Sequence, residues 1–450
     1  MRHVLLHAWA KTLRRCGGKR AVVQAADGAT ATFRELDERA EAWAATHRGG
    51  RSQGLADAAL TGRAVVFAVP NGIRWLEIFL GVLKAGAVAV PVDAAEPVAA
   101  QRELAVALRA GFLWNGTALE ALPEARRYRD PAVCLVKLTS GSTGRPRALT
   151  FTAPQLLADA RQVTSTMGIT ERDLNYALIP FGHSYGLGNL SLPLLAQGIP
   201  VVCGSAALPH AVAADFAAWR PTVFPGVPAL WRGMAAAEVR LDSLRRAISA
   251  GAPLAPEVAR EFEARFGRRL HNFYGSSETG GIAYDASGRA TLEGGVGRAL
   301  RGVALQVRPG ARLRVSGAAV HTHGNRRRAG QWGAWLMPDR VAVSARGEVT
   351  LLGRRGTTVK IAGRRVNLRE VAERLRRLPG VRDAWVGSGG GPDPVLGAVV
   401  ASDRTALELR SALLADTAVW KIPKRLHVLA QFPVTSRGKT DVAALRAMLF

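Results

Sequence analysis

Short runs of β-branched and other apolar residues alternate with longer stretches of helical period along most of this chain. Ala64–Val69 reads as a strand, Gly72–Lys84 as an amphipathic helix and Ala87–Pro91 as the next strand. Leu174–Ile179 is strand-like, Leu190–Ala196 helix-like and Pro200–Cys203 strand-like again, while Pro256–Phe266 has a helix-starting proline and one charged face. Alternation on this scale predicts an α/β fold with mainly parallel sheets and flanking helices.

The pattern changes near residue 300. Val303–Val307, Leu313–Val315, Val341–Val343 and Val349–Leu352 are closely spaced short strands, which predict a β-rich subdomain. Between them, His321–Gln331 is polar, basic and glycine-containing; no Cys or carboxylate stands at metal-ligand spacing, so it reads as an exposed loop. The remainder predicts a small α+β unit: strand Val359–Ile361, helix Asn367–Arg377, strands Val381–Val386 and Val395–Ala401, helix Leu407–Leu414. The boundary falls near Arg354–Thr357, giving a large N-terminal domain over 1–354 and a small one over 355–450.

Composition supports that division. The 450 residues are 48% apolar and 21% charged. Such a chain buries a sizeable core, but it is too long for one core, because domains split beyond about 300 residues. Lys and Arg number 61 against 35 Asp and Glu, a net charge of +26. That excess suits a polyanionic partner. Yet only eight of the basic residues are lysine, and the arginines are scattered rather than grouped in an arm. No nucleic-acid motif accompanies them, so charge alone leaves the function open. Cys16, Cys134 and Cys203 have neither paired nor ligand spacing, which points to a reducing, cytoplasmic setting. The first residues lack a signal-peptide core, and the most apolar region, Val65–Val92, is broken by Pro70, Asn71, Arg74, Glu77 and Lys84; no transmembrane segment is expected.

The strongest chemical signal follows the strand Val133–Leu138. Thr139, Ser140, Gly141, Ser142, Thr143 and Gly144 supply hydroxyls and a pliant backbone, and Arg145 and Arg147 supply charge. Such a loop suits a polyphosphate, although it is not a Walker-type sequence.

This loop, T-S-G-S-T-G-x-P-R, resembles the signature of the adenylate-forming superfamily of acyl- and aryl-CoA synthetases, peptide-synthetase adenylation domains and luciferases. The resemblance recurs in order from Thr32-Phe33-Arg34-Glu35-Leu36 to Gly438-Lys439. It includes Leu83–Ala87 with Pro91-Val92-Asp93, Pro180–Gly186 around His183, and Phe273-Tyr274-Gly275-Ser276-Ser277-Glu278. Val296-Gly297-Arg298 follows, then Gly353-Arg354 with Lys360, Gly363, Arg365-Val366 and Glu370, and finally Pro433–Lys439.

The resemblance implies activation of a small-molecule carboxylic acid by ATP and Mg²⁺ to an acyl-adenylate, then transfer to a thiol of coenzyme A or of a carrier-protein phosphopantetheine. It implies that Lys439 bridges the carboxylate and α-phosphate, that Glu278 holds Mg²⁺, and that Ser277 meets the α-phosphate. Tyr274 and the segment Gly251-Ala252-Pro253 would flank adenine. Asp339 would grip the ribose, although Met337-Pro338-Asp339 replaces the usual Thr-Gly-Asp, and Arg354 would assist it. His183 would separate the ATP and acyl pockets, and Gly363 would line the thiol tunnel of a small domain that rotates about Gly356. Arg147 stands where lysine is usual and keeps the charge. Pro180–Gly188 contains no carboxylate to pair with an amino acid's ammonium group, which favours a fatty or aromatic acid over an amino acid. A weakened accessory member of the family is the other alternative, supported only by the Met337–Asp339 and Gly356 departures.

Overall fold

The computed structural model describes the chain except for residues 1–3, 49–59, 140–146, 323–331, 355–357, 362–363, 390–394, 416, 418 and 436–439. It separates into two compact units, one of residues 1–337 with 341–351, the other of 338–340 with 352–450. The division falls just before the sequence-based boundary, within the strand Val349–Arg354.

Two large sheets with parallel interiors and antiparallel margins dominate the first unit. One has six strands, in the order Leu119–Ala121, Phe112–Trp114, Ala64–Ala68, Val88–Val92, Val133–Thr139 (β1) and Arg147–Thr152 (β2). The first and last pairs are antiparallel. Helix α1, Ala153–Met167, leaves β2 with Pro154 in its first turn; the Gln155 side chain accepts from the Thr152 N–H at 2.9 Å. It stops at Gly168, whose φ of 64° suits a residue without Cβ. Leu156, Leu157, Ala160, Val163 and Met167 face the core at helical spacing.

The other sheet has nine strands: Thr30–Thr32, Arg20–Gln24, Val201–Cys203, Asn175–Ala177, Val223–Gly226 (β3), Arg246–Ser249 (β4), Leu270–Ser276 (β5), Gly280–Tyr284 (β6) and Arg298–Ala299. From Arg20–Gln24 through β5 neighbouring strands are parallel; the margins are antiparallel. A smaller sheet of Val303–Arg308, Arg312–Gly317, Gly333–Val343 and Val349–Arg354 forms the β-rich part.

Two elements differ from the sequence reading. The helix Ile73–Lys84 keeps its polar side of Arg74, Glu77 and Lys84 but is covered on nearly every face: among residues 73–83 only Arg74 escapes burial. It lies under helix Phe33–Arg48, where a Cβ on Gly81 would come within 2.5 Å of the Trp43 ring. The N-terminal residues, where the sequence reading placed no element, form helix Val4–Cys16. Leu5, Trp9, Thr12 and Cys16 are buried along one face, and the Trp9 indole donates to Asp37 at 2.7 Å.

The second unit has its own core of Val366, Val371, Leu375, Ala384, Ala398, Val400, Leu409 and Leu413. A hairpin, Thr358–Ile361 with Arg364–Asn367, precedes helix Leu368–Arg376; the Asn367 side chain accepts the Arg369 N–H at 3.0 Å, a cap worth about 1 kcal/mol. Strands Val381–Ser388, Leu396–Ser402 and Arg425–Leu429 form one sheet, beside helix Ala406–Leu414. No described helix in either unit is long and apolar enough to cross a membrane.

Candidate active site

In an open α/β sheet, ligands bind at the carboxyl ends of parallel strands. Here those ends are Gly226 of β3, Ser249 of β4 and the extension of β5 past its last parallel pair, Ser249–Asn272. That extension carries Phe273, Tyr274, Gly275 and Ser276, and then turns through Ser277 and Glu278 into β6.

The turn is tightly built. A Cβ on Gly275 would come within 2.8 Å of the Gly280 carbonyl, so glycine permits the close return. The Ser276 and Thr279 hydroxyls bond at 3.0 Å, and the Glu278 carbonyl accepts the His321 N–H at 2.7 Å. His321 is therefore no part of an exposed loop: it is 7% exposed, with its ring 5.4 Å from that of Phe151 and its Nδ1 donating to Thr150 at 3.0 Å. The basic run that follows it dominates the polarity of that stretch, which hid its first residue. Residues 323–331 lie outside the described chain.

His183, half-buried, opens the turn into Ser184–Gly186. Its neighbour Ser184 donates to Ser277 Oγ at 2.9 Å, leaving the Ser277 proton available to an anion. Tyr185 is buried below, its hydroxyl 3.3 Å from both the Gly226 and Ile248 carbonyls and its ring 5.8 Å from that of Phe273. The sequence reading had singled out neither Ser184 nor Tyr185. The structure thus brings His183, Ser277, Gly275, Ser276 and Glu278 to one edge, and Gly251, Ala252 and Pro253 follow the adjoining β4 as an exposed turn with Gly251 at φ 89°. Tyr274 is 8% exposed and packs with Ile282, Val315, Met337 and Val349.

Thr139 ends β1, and Arg147 begins β2 with its guanidinium 5.5 Å from the Trp335 ring. Ser140, Gly141, Ser142, Thr143 and Gly144 lie outside the described residues, as do Gly356, Gly363 and Lys439. Asp339 belongs to the second unit and is 6% exposed. Along Gly333–Val343 it alternates inward with Met337 and Val341, while Pro338 faces out. That register explains how proline is tolerated in the Met-Pro-Asp triplet: it occupies the outward position. Arg354 and Lys360 lie in the strands Val349–Arg354 and Thr358–Ile361, described here by backbone alone.

Two buried charges escaped the sequence reading. Lys137 in β1 is 4% exposed and Asp159 in α1 is 3% exposed. A lysine inside Val133–Leu138 and an acid on the apolar face of α1 were the available signals. Asp159 lies against Gly188, in the segment that the sequence showed to lack a carboxylate. It accepts the Gly281 N–H at 2.9 Å and is enclosed, so it offers no open partner to a substrate ammonium.

Behind the edge, His271 of β5 is held neutral. Its Nδ1 donates to the Asp285 carbonyl at 2.8 Å, and Nε2 faces the Arg246 guanidinium at 3.3 Å. Burial, with a lesser contribution from Arg246, pushes its pKa down from 6.5 to about 4. The unfolded chain therefore binds the extra proton first. This group's contribution is complete above pH 6.5 and is lost as pH falls toward 4, a span worth about 3 kcal/mol. Denaturant unfolding between pH 7.5 and pH 4.5 should show a shallower pH dependence in His271→Gln; an identical slope would refute the assignment.

Among the described residues no three or more His, Cys, Asp or Glu side chains gather as a metal cage. Glu278 is a single carboxylate beside a hydroxyl, a donor set that fits an ion arriving with phosphates, as Mg²⁺ does.

A parallel α/β framework with a hydroxyl- and glycine-rich loop after a strand, and a Ser-Glu turn at the strand ends, defines a nucleotide-dependent enzyme class. The model of the AMP-binding enzyme family matches residues 9–115 and 115–317, and the chain belongs to that family. It is 29% identical over 354 residues to 2-hydroxy-7-methoxy-5-methyl-1-naphthoate–CoA ligase of Streptomyces carzinostaticus, covering 71% of this chain and 63% of that protein. It is 27% identical over 471 residues to feruloyl-CoA synthase of an Amycolatopsis species, covering 92% of each. The fold matches ATP-bound MatB from Rhodopseudomonas palustris with a TM-score of 0.81 at 21% identity, over 98% of each chain.

Proposed function

We propose that the protein is an acid–thiol ligase that activates an aromatic carboxylic acid with ATP and passes the acyl group to coenzyme A. The observation that carries this reading is the meeting of Ser184 and Ser277 at the strand ends, beside Glu278 and His183, in a chain of the AMP-binding family. The aromatic class is favoured over a fatty acid by the names of the relatives and by Tyr185 and Phe273 beneath the turn.

In the first half-reaction a carboxylate oxygen attacks the α-phosphorus and pyrophosphate leaves. Both reactants are anions, so positioning and charge neutralisation carry the catalysis. Residues 139–147 cradle the phosphates, the Ser277 hydroxyl donates a hydrogen bond to an α-phosphate oxygen, and Lys439 bridges carboxylate and α-phosphate. Glu278 would hold Mg²⁺, which supplies neutralisation of the phosphate charge. Tyr274 and Gly251–Pro253 border the adenine, and Asp339 with Arg354 holds the ribose. In the second half-reaction the thiol sulfur attacks the acyl carbon, AMP leaves and the thiol proton passes to solvent. Residues 355–450 act as a mobile domain that carries Lys439 to the first step, and Gly363 to the second.

The cysteines are free and buried, as the cytoplasmic setting proposed for the chain would leave them. An acid screen by pyrophosphate release, first with hydroxylamine as trap and then with coenzyme A or a carrier protein, tests the reading. Aromatic acids should give the fastest release, and coenzyme A should yield the thioester. Turnover with the carrier protein alone would move the acceptor, and release confined to amino acids would overturn the substrate class.

A further inference from the structure

The charges of Lys137 and Asp159 have no part in that chemistry, yet burying each without compensation costs several kcal/mol. Their placement shows what they touch. Lys137 lies in the strand that leads into the phosphate loop, with its ammonium 4.3 Å from the centroid of the cross-strand Phe151 ring. Burial pushes its pKa down, and the carboxylates of Asp159 and Glu278 act against that shift. Asp159 is wedged between two segments of the candidate site. Its Oδ1 accepts the Gly281 N–H at 2.9 Å, and a Cβ on Gly280 would come within 2.3 Å of that oxygen. Its Oδ2 would stand 3.0 Å from a Cβ on Gly188, five residues beyond His183. Gly280 has a φ of 70°, so both the chain direction and the space at this turn require glycine.

We propose that Lys137 and Asp159 form a buried charge couple that positions the Ser276–Gly281 turn, and with it Ser277 and Glu278, against the nucleotide. Asp159 anchors the far end of the turn through Gly281. Lys137, buried in the strand that feeds the phosphate loop with its ammonium over the Phe151 ring, supplies the compensating positive charge for that anchor. Neither residue touches the substrates; both are positioning residues, and the role rests on the ligase reading above.

The test uses Asp159→Asn, Lys137→Met, the charge-keeping Lys137→Arg and the Asp159→Asn/Lys137→Met double variant in the full chain. In Lys137→Met and Asp159→Asn the KM for MgATP should rise and the adenylation kcat should fall, each by about tenfold, with the KM for the acid little changed. Lys137→Arg should recover most of the loss. The double variant, which leaves no unpaired buried charge, should be less impaired than the product of the two single effects. Amide hydrogen exchange across residues 274–284 should quicken about fivefold in both single variants relative to strand Val65–Phe67, whether or not the enzyme turns over. Wild-type MgATP kinetics in folded single variants, or unchanged exchange in that segment, would overturn the couple. Faster exchange with a wild type inactive toward every acid would instead leave the couple standing and refute the ligase reading.

Discussion

Lys439→Ala is expected to lower acid-dependent ATP–pyrophosphate exchange by at least about 10²–10³-fold, the usual effect of removing a group aimed at developing charge. The first half-reaction brings two anions together, and an ammonium that bridges them gains most as they approach. Gly438 before it allows the chain to come close, and the Pro433–Lys439 spacing places it at the end of the chain's last motif. The second half-reaction starts from a mixed anhydride whose carboxylate charge has already been consumed. Transfer to coenzyme A from supplied acyl-adenylate should therefore proceed at the wild-type rate. Exchange at the wild-type level would remove Lys439 from the site; parallel loss of both half-reactions would make its role structural.

The second large effect belongs to Glu278→Gln. The amide keeps the shape of the side chain, and the main-chain carbonyl that accepts the His321 N–H is untouched, so the turn should fold. What it removes is the one carboxylate the turn offers to a phosphate-borne cation. Adenylation should fall about 10²–10³-fold, with saturation moved to higher Mg²⁺. A fall in rate with unchanged Mg²⁺ dependence would contradict the metal role, and wild-type rate at low Mg²⁺ would remove Glu278 from the chemistry.

How far the sequence revealed this site depends on the kind of interaction. The α/β alternation, the β-rich part and the second unit's strands were readable because apolar period and turn residues are local properties. Val303–Arg308 and Leu396–Ser402, for example, lie within a residue or so of their expected limits. The Ser-Glu turn was readable as a motif. Its supports were not, because they come from distant strands: His321 is tied to Thr150 and Glu278, and Ser184 to Ser277. Lys137 inside an apolar strand and Asp159 inside an apolar helix face were visible as exceptions, but only folding shows that both are buried and that Asp159 holds Gly281. The helix Ile73–Lys84 misled for the opposite reason: Arg74, Glu77 and Lys84 gave it a polar side, but Glu77 is buried and pairs with Arg74.

The net charge of +26 suits the acidic small molecules of the proposed reaction, ATP, pyrophosphate and the phosphorylated end of coenzyme A, as a long-range field. The central claim is that ATP is cleaved between its α- and β-phosphates by a carboxylic acid. Phosphorus NMR of the products, with ATP, Mg²⁺, an aromatic acid and coenzyme A, tests it most directly. AMP and pyrophosphate should appear in equal amounts, only when the acid is present, and matched by the thioester. ADP and phosphate in place of those products, or AMP formed independently of any acid, would contradict the account.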